Sequence, residues 1–148
     1  LDFNALEIAI KTWQDAKKDA FFIRETVFIQ EQGVPAALEI DEYDPSAAHA
    51  LAFEGAECVG TGRLVKLGVG EFQIGKMAVL ARFRGRGIGK QILKKLVDLA
   101  RTQGAIKIIL HSQISAIPFY EKLGFQATGP GYDEAGITHR NMILVIAP

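Results

Sequence analysis

The sequence is short of several things, and each shortage removes a class of function. It has one cysteine, Cys58, among 148 residues, so no intrachain disulfide can form and a reducing compartment is permitted. Cys58 opens a strand pattern, which points to a structural residue rather than a nucleophile. The three histidines, His49, His111 and His139, are too scattered for a metal-ligand spacing, so no metal is expected. Neither sign of charge is in excess, because 17 Lys and Arg face 17 Asp and Glu. No global field therefore favours nucleic acid, and none is expected as a partner. No apolar run approaches the roughly 18 residues that span a bilayer, so no membrane association is expected either. No secretory leader is visible downstream of Leu1, and the expectation is a cytoplasmic protein. Repeats, low-complexity tracts and interdomain linkers are also missing.

What is present is most informative over residues 72–90. An apolar strand runs into the basic, glycine-dense turn Arg84-Gly85-Arg86-Gly87-Ile88-Gly89-Lys90, which opens an amphipathic helix. A helix start has unpartnered N–H groups and the positive end of the macrodipole. Glycines clear Cβ atoms away from those donors, and arginine supplies planar forks for phosphate. The turn is therefore expected to bind a phosphorylated ligand. A Walker loop is excluded, because Gly89-Lys90 is followed by Gln91 and Arg84 stands where the first glycine belongs. The interval Gly85, Gly87, Gly89 is also wrong for a dinucleotide fingerprint.

Downstream, Ser115-Ala116-Ile117-Pro118-Phe119-Tyr120-Glu121-Lys122-Leu123-Gly124-Phe125 follows another apolar strand. Ser115 reads as an N-cap, Pro118 fits a first helical turn and Gly124 is a C-terminal stop. Together, Arg84, Gly87 and Gly89 in the pattern Arg-x-x-Gly-x-Gly and the run Phe119-Tyr120-x-Lys122-x-Gly124-Phe125 resemble the GNAT superfamily of N-acetyltransferases. The segments 27–35, 39–42, 60–64 and 136–139 are similar to a bacterial branch of that superfamily, the ElaA/YjcF-like proteins, with Thr138 where proline is expected.

Periodicity predicts a strand over 6–13, a helix over 15–32, an acidic solvated loop over 36–46, and strands at 50–53 and 58–65 about a turn at Gly55. It continues with a strand at 72–80, a helix at 88–103 and strands at 105–111, 124–128 and 139–146. The strand–helix–strand unit over 72–111 demands a right-handed crossover between parallel strands, whereas the preceding meander is antiparallel. The expected class is therefore α+β, one domain over 1–148, with a mixed sheet. The resemblance adds helices on both faces and a central acyl-CoA-binding unit whose parallel strands splay.

The resemblance implies an acetyl-CoA-dependent N-acetyltransferase acting on a primary amine of a small molecule or peptide, without a metal. A non-catalytic CoA-binding sensor or partner-binding module on the same fold is the alternative, and the chain would be a monomer or homodimer. Implied contacts to acetyl-CoA are the backbone of Met77, Ala78 and Val79, the turn residues Arg84, Gly85, Arg86, Gly87, Ile88, Gly89 and Lys90, and Phe119. Tyr120 is the implied donor to the leaving thiolate. Glu31, at a helix C-terminus where the macrodipole raises a carboxylate's pKa, is the expected base, with His139 as substitute. His49, His111 and His139 are expected on the acceptor side, and a water chain remains open as the proton's route.

Overall fold

The computed structural model describes residues 6–146. Strand β1 (Leu6–Lys11) leads into helix α1 (Trp13–Arg24), which continues as a π-helical segment, Glu25–Glu31. After an irregular stretch come β2 (Ala48–Glu54), β3 (Glu57–Gly68), β4 (Glu71–Val79) and helix α2 (Ile88–Thr102). Strand β5 (Lys107–Gln113), helix α3 (Ile117–Glu121), β6 (Gln126–Glu134) and β7 (Ile137–Val145) complete the chain. The strands form one sheet in the order β1-β2-β3-β4-β5-β7-β6, antiparallel throughout except for the parallel pair β4/β5. The α+β class and mixed sheet expected from the sequence are those observed. Among the described residues no helix is long and apolar enough to cross a membrane.

Helices cover both faces, as alternation along β3 makes plain. Gly62 faces α2 so closely that a Cβ there would lie 2.9 Å from both Ile92 and Leu96. Its neighbour Arg63 points the other way, to the acidic segment held by Arg24 of α1. Helix α2 buries Ile88, Ile92, Leu93, Leu96, Val97 and Ala100, the stripe its periodicity requires.

Several local expectations are corrected. The predicted single helix over 15–32 changes from α-type to π-type hydrogen bonding at Glu25, where Thr26 Oγ1 donates to the Phe22 carbonyl at 2.8 Å. The β-branched run Thr26, Val27 and Ile29 weakens the α-helical preference at the same place. Ser115 does not cap α3; it lies inside a 3₁₀ turn, Ile114–Ala116, and α3 starts without a side-chain cap. The strand expected over 124–128 extends as β6 to Glu134.

The largest correction concerns the acidic stretch, which is not a solvated loop. Glu39 and Asp44 are fully buried. Arg24 donates from Nη1 and Nη2 to the two Asp44 oxygens at 2.9 Å each, pairs through Nε with Glu39, and stacks on Trp13. Arg63 Nη1 donates to Asp41 at 2.6 Å and to Asp44 at 3.0 Å. Burial alone would raise the Asp44 pKa, but the Arg24 bonds and charge, the Asp41 amide and Arg63 outweigh it and hold it at about 2.

Removing one partner from a buried ion pair costs about 3–5 kcal/mol, so Asp44→Asn should lower stability by that order. The folded pKa of Asp44, about 2, lies below its unfolded value. Its share of stability, about 2 kcal/mol, is therefore complete above about pH 4 and lost as pH falls towards 2. Urea titrations should show this acid slope in the native protein and a shallower one in Asp44→Asn; identical slopes would contradict the assignment.

Candidate active site

The parallel pair β4/β5 is hydrogen-bonded only from Glu71–Gln73 against Lys107–Ile109, with a Lys107–Glu71 ion pair at 3.3 Å where it begins. Beyond Gln73 and Ile109 the strands part. On its other edge β4 stays paired to β3 as far as Val79, but the register shifts between Thr61 and Arg63. That shift is a bulge at Lys76 and Met77, and Lys76 takes a left-handed backbone with φ 53°. Two cavities, of about 650 and 690 Å³, open from the gap. They share Met77, Ala78, Val79, Arg84, Ala116 and Tyr120.

The second cavity is lined by Gly85, Gly87, Ile88, Gly89, Lys90 and Phe119, so the turn and α3 meet there as the motifs require. Gly85 (φ 81°) and Gly87 (φ 78°) occupy left-handed backbone, and a Cβ at either would meet only open space. Gly87 is the N-cap of α2, and no side chain caps that end. The first-turn amides are therefore open donors beside a glycine-cleared surface, which suits a pyrophosphate.

The loop arginines are differently placed from the expectation of free phosphate forks. Arg82 pairs with Glu57, and Arg86 approaches Glu54 at 3.3 Å. Arg84 donates from Nε to the Val79 carbonyl at 2.9 Å, and from its terminal nitrogens to Glu31 at 2.6 and 2.8 Å. One N–H on each terminal nitrogen remains for a ligand. Arg84 thus first ties the end of the π-helical segment to the end of β4. Lys90 is exposed and enters none of these pairs.

Tyr120 stands where the two cavities meet. Its ring packs edge-on against Phe119 and Phe125, centroids 5.0 and 6.0 Å away. Its hydroxyl has no hydrogen-bond partner among the described residues, and burial pushes its pKa up to about 12. By contrast the Cys58 thiol, buried and raised to about 11, reaches neither cavity.

The first cavity is walled by Val27, Phe28, Gln32 and Val34 beside the π-helical segment, by the β4 bulge, and by His111, Glu134 and His139. Gln113 Nε2 donates to Gln32 Oε1 at 2.9 Å, joining the end of β5 to that segment. His139 Nδ1 donates to the Ile137 carbonyl at 2.7 Å, and His111 Nδ1 donates to Glu134 at 2.9 Å. His111 and His139 therefore line one cavity together.

His49 does not. It is buried under Trp13 and donates from Nε2 to the Asp44 carbonyl at 2.9 Å, away from both cavities. The expected upward pKa shift of Glu31 is also reversed. The Arg84 hydrogen bonds and charge lower it, outweighing the opposing effect of burial. Glu31 is exposed and outside the first cavity's wall, so its contact is with Arg84. Glu134, Arg63 and Lys76, all on that wall, were missed. The Glu134-Ala135-Gly136 turn was the only local signal for the first of them.

Residues 12–146 match the family model described as acetyltransferase (GNAT) domain. The chain belongs to the GNAT acetyltransferase family. It is 39% identical over 132 residues to the uncharacterized N-acetyltransferase YjcF of Bacillus subtilis, covering 88% of this chain and 93% of that protein. The crystal structure of Escherichia coli ElaA superposes with a TM-score of 0.85 at 23% identity, over 95% of this chain and 99% of that one. An acyl-CoA N-acyltransferase from Pseudomonas aeruginosa gives 0.85 at 24% identity, over 95% and 100%. These matches agree with the ElaA/YjcF-like branch of GNAT proteins and make the chain an acyltransferase. A GNAT domain works on an acyl-CoA and an acceptor.

Gly89 offers a test with opposite signs. A Cβ there would sit 3.5 Å from Phe119, an ordinary contact, and no left-handed backbone stands in its way. Gly89→Ala should stabilise the free protein by up to about 1 kcal/mol through helix propensity. It should also weaken acetyl-CoA binding about tenfold by filling the cleared surface. Unchanged affinity by calorimetry would remove this turn from the binding site.

Proposed function

We propose that the protein transfers an acetyl group from acetyl-CoA to a primary amine of a small molecule or peptide, by direct attack of the amine on the thioester. The observation that carries this reading is the position of Tyr120. It lies on the walls of both cavities, beside the Met77–Val79 backbone, with a hydroxyl free to donate. Acetyl-CoA would occupy the cavity at the α2 N-terminus, with its phosphates at Ile88–Lys90 and its acyl arm along β4 beyond the last β5 contact. The acceptor would enter from the other side. Two cavities meeting at a donor group suit a two-substrate reaction, whereas a CoA sensor needs only one.

The chemistry sets two requirements. An alkyl ammonium with pKa about 10.4 costs about 4.6 kcal/mol to neutralise at pH 7, so a proton acceptor must be near. The departing thiolate must also be stabilised. A phenol held at about 12 stays protonated and can always donate. Complete transfer to a thiolate of pKa about 8.5 is uphill by roughly 5 kcal/mol, so Tyr120 acts by hydrogen bonding as charge grows on sulfur. The thiolate then takes its proton from solvent.

Tyr120→Phe keeps the packed ring and removes the donor. Its kcat should fall tenfold to a thousandfold with acetyl-CoA affinity within about twofold of native. Thiol release at the native rate would return Tyr120 to the core and withdraw the mechanism.

A further inference from the structure

Among the described residues two that are not glycine have left-handed backbones, Lys76 and Ala135, each with φ 53°. Both line the 650 Å³ cavity. Lys76 makes the β4 bulge, and Ala135 with Gly136 (φ 81°) makes the two-residue turn joining β6 to β7. Such a turn needs positive φ at both central residues, for which asparagine, aspartate or glycine is the ordinary choice. Alanine is held there against its preference, and backbone strain of this kind gathers at working sites.

The turn positions Glu134, which pairs across it with Ile137. His111 Nδ1–H donates to Glu134 Oε1 at 2.9 Å, while Oε2 lies 3.7 Å from His139 Nε2. Because His139 Nδ1–H donates to the Ile137 carbonyl, the neutral ring has its lone pair on Nε2. The other carboxylates on the wall are already neutralised, Glu39 by Arg24 and Asp41 by Arg63. Glu134 alone among them has no arginine or lysine partner in the described residues. The nearby cations are engaged too: Lys76 donates to the Glu39 carbonyl at 2.7 Å, and Arg84 holds Glu31. Apolar Val27, Phe28, Val34 and Leu38 line the same cavity.

We propose that Glu134 and His139 form the acceptor's ammonium site, and that the acceptor is a primary alkylammonium with an apolar body lying on Phe28, Val34 and Leu38. This rests on the transfer reading above and adds the substrate class. Glu134 pairs with the ammonium, and His111 is a positioning residue that fixes the Glu134 carboxylate. One N–H bond of the ammonium breaks and its proton goes to His139 Nε2, leaving a neutral amine. The amine nitrogen bonds to the acyl carbon, the carbon–sulfur bond breaks with its electrons on sulfur, and the amide's surplus proton passes to solvent. The imidazolium, facing Glu134, returns its proton to water.

The chain has only His49, His111 and His139, so imidazole nitrogen NMR reads the site directly. Hexylamine, added near neutral pH, should shift His111 and His139 and leave buried His49 unmoved, whereas neutral hexanol should shift none. In Glu134→Gln, with a native Tm, the dissociation constant from the same titration should rise at least tenfold. No response to millimolar hexylamine, an equal response to hexanol, or an unchanged constant in Glu134→Gln would overturn the site. Calorimetry with acetyl-CoA on the same samples separates the two readings. Acetyl-CoA binding without an amine response sinks this site alone. An amine response without acetyl-CoA binding sinks the transfer reading and leaves the ammonium site standing.

Discussion

Strands β4 and β5 share a ladder for only three residues a side and then diverge, and the rest of the molecule is arranged around that divergence. Unpaired backbone groups inside a sheet are costly unless something else satisfies them. Here each strand end is tied away from the other. The end of β4 stays on β3, and its last carbonyl accepts from Arg84, itself held by Glu31. The end of β5 stays on β7 through Gln113 and His139, and Gln113 reaches across to Gln32. Helix α3 then sets Tyr120 at the mouth of the gap. The two cavities are the space these ties leave open.

A second constraint stands behind the first. The Arg24, Glu39, Asp41, Asp44 and Arg63 cluster packs charge against the face of the sheet opposite α2. Buried ion pairs of this kind gain little net stability over apolar packing, because desolvation offsets attraction. Two of its atoms, Glu39 Oε2 and Arg63 Nε, even lack partners among the described residues. What the cluster does is fix position. It pins residues 36–46 beside the 650 Å³ cavity and presents the Glu39 carbonyl to Lys76, which steadies the bulge. Among the described residues, the two non-glycine left-handed backbones and these two unpaired atoms thus belong to residues on the walls of one cavity.

How much of this was legible follows from what each feature depends on. Helix α2 was readable nearly to the residue because its burial stripe and glycine boundaries are local properties. The glycine turn was readable because a basic, glycine-dense helix start is a local property, and the Phe119-Tyr120 segment through its resemblance to a family motif. The acidic stretch was misread because Glu39 and Asp44 look solvent-loving until Arg24 and Arg63, distant in sequence, arrive beside them. His49 and Glu31 failed for the same reason, since their partners Asp44 and Arg84 belong to other elements. Glu134 was passed over because a carboxylate before a hairpin turn is ordinary; only the β5/β7 and β6/β7 registers bring His111 and His139 to it.

The central claim is that the parting of β4 from β5 is where an acyl-CoA enters, with its sulfur delivered to Tyr120. A crystal structure of the protein soaked with CoA tests it most directly. The account predicts the phosphates at the Ile88–Lys90 amides, the thiol arm against the unpaired edge of β4, and the sulfur within about 3.5 Å of Tyr120 Oη. CoA bound elsewhere, or in the cleft with its sulfur turned away from Tyr120, would contradict it.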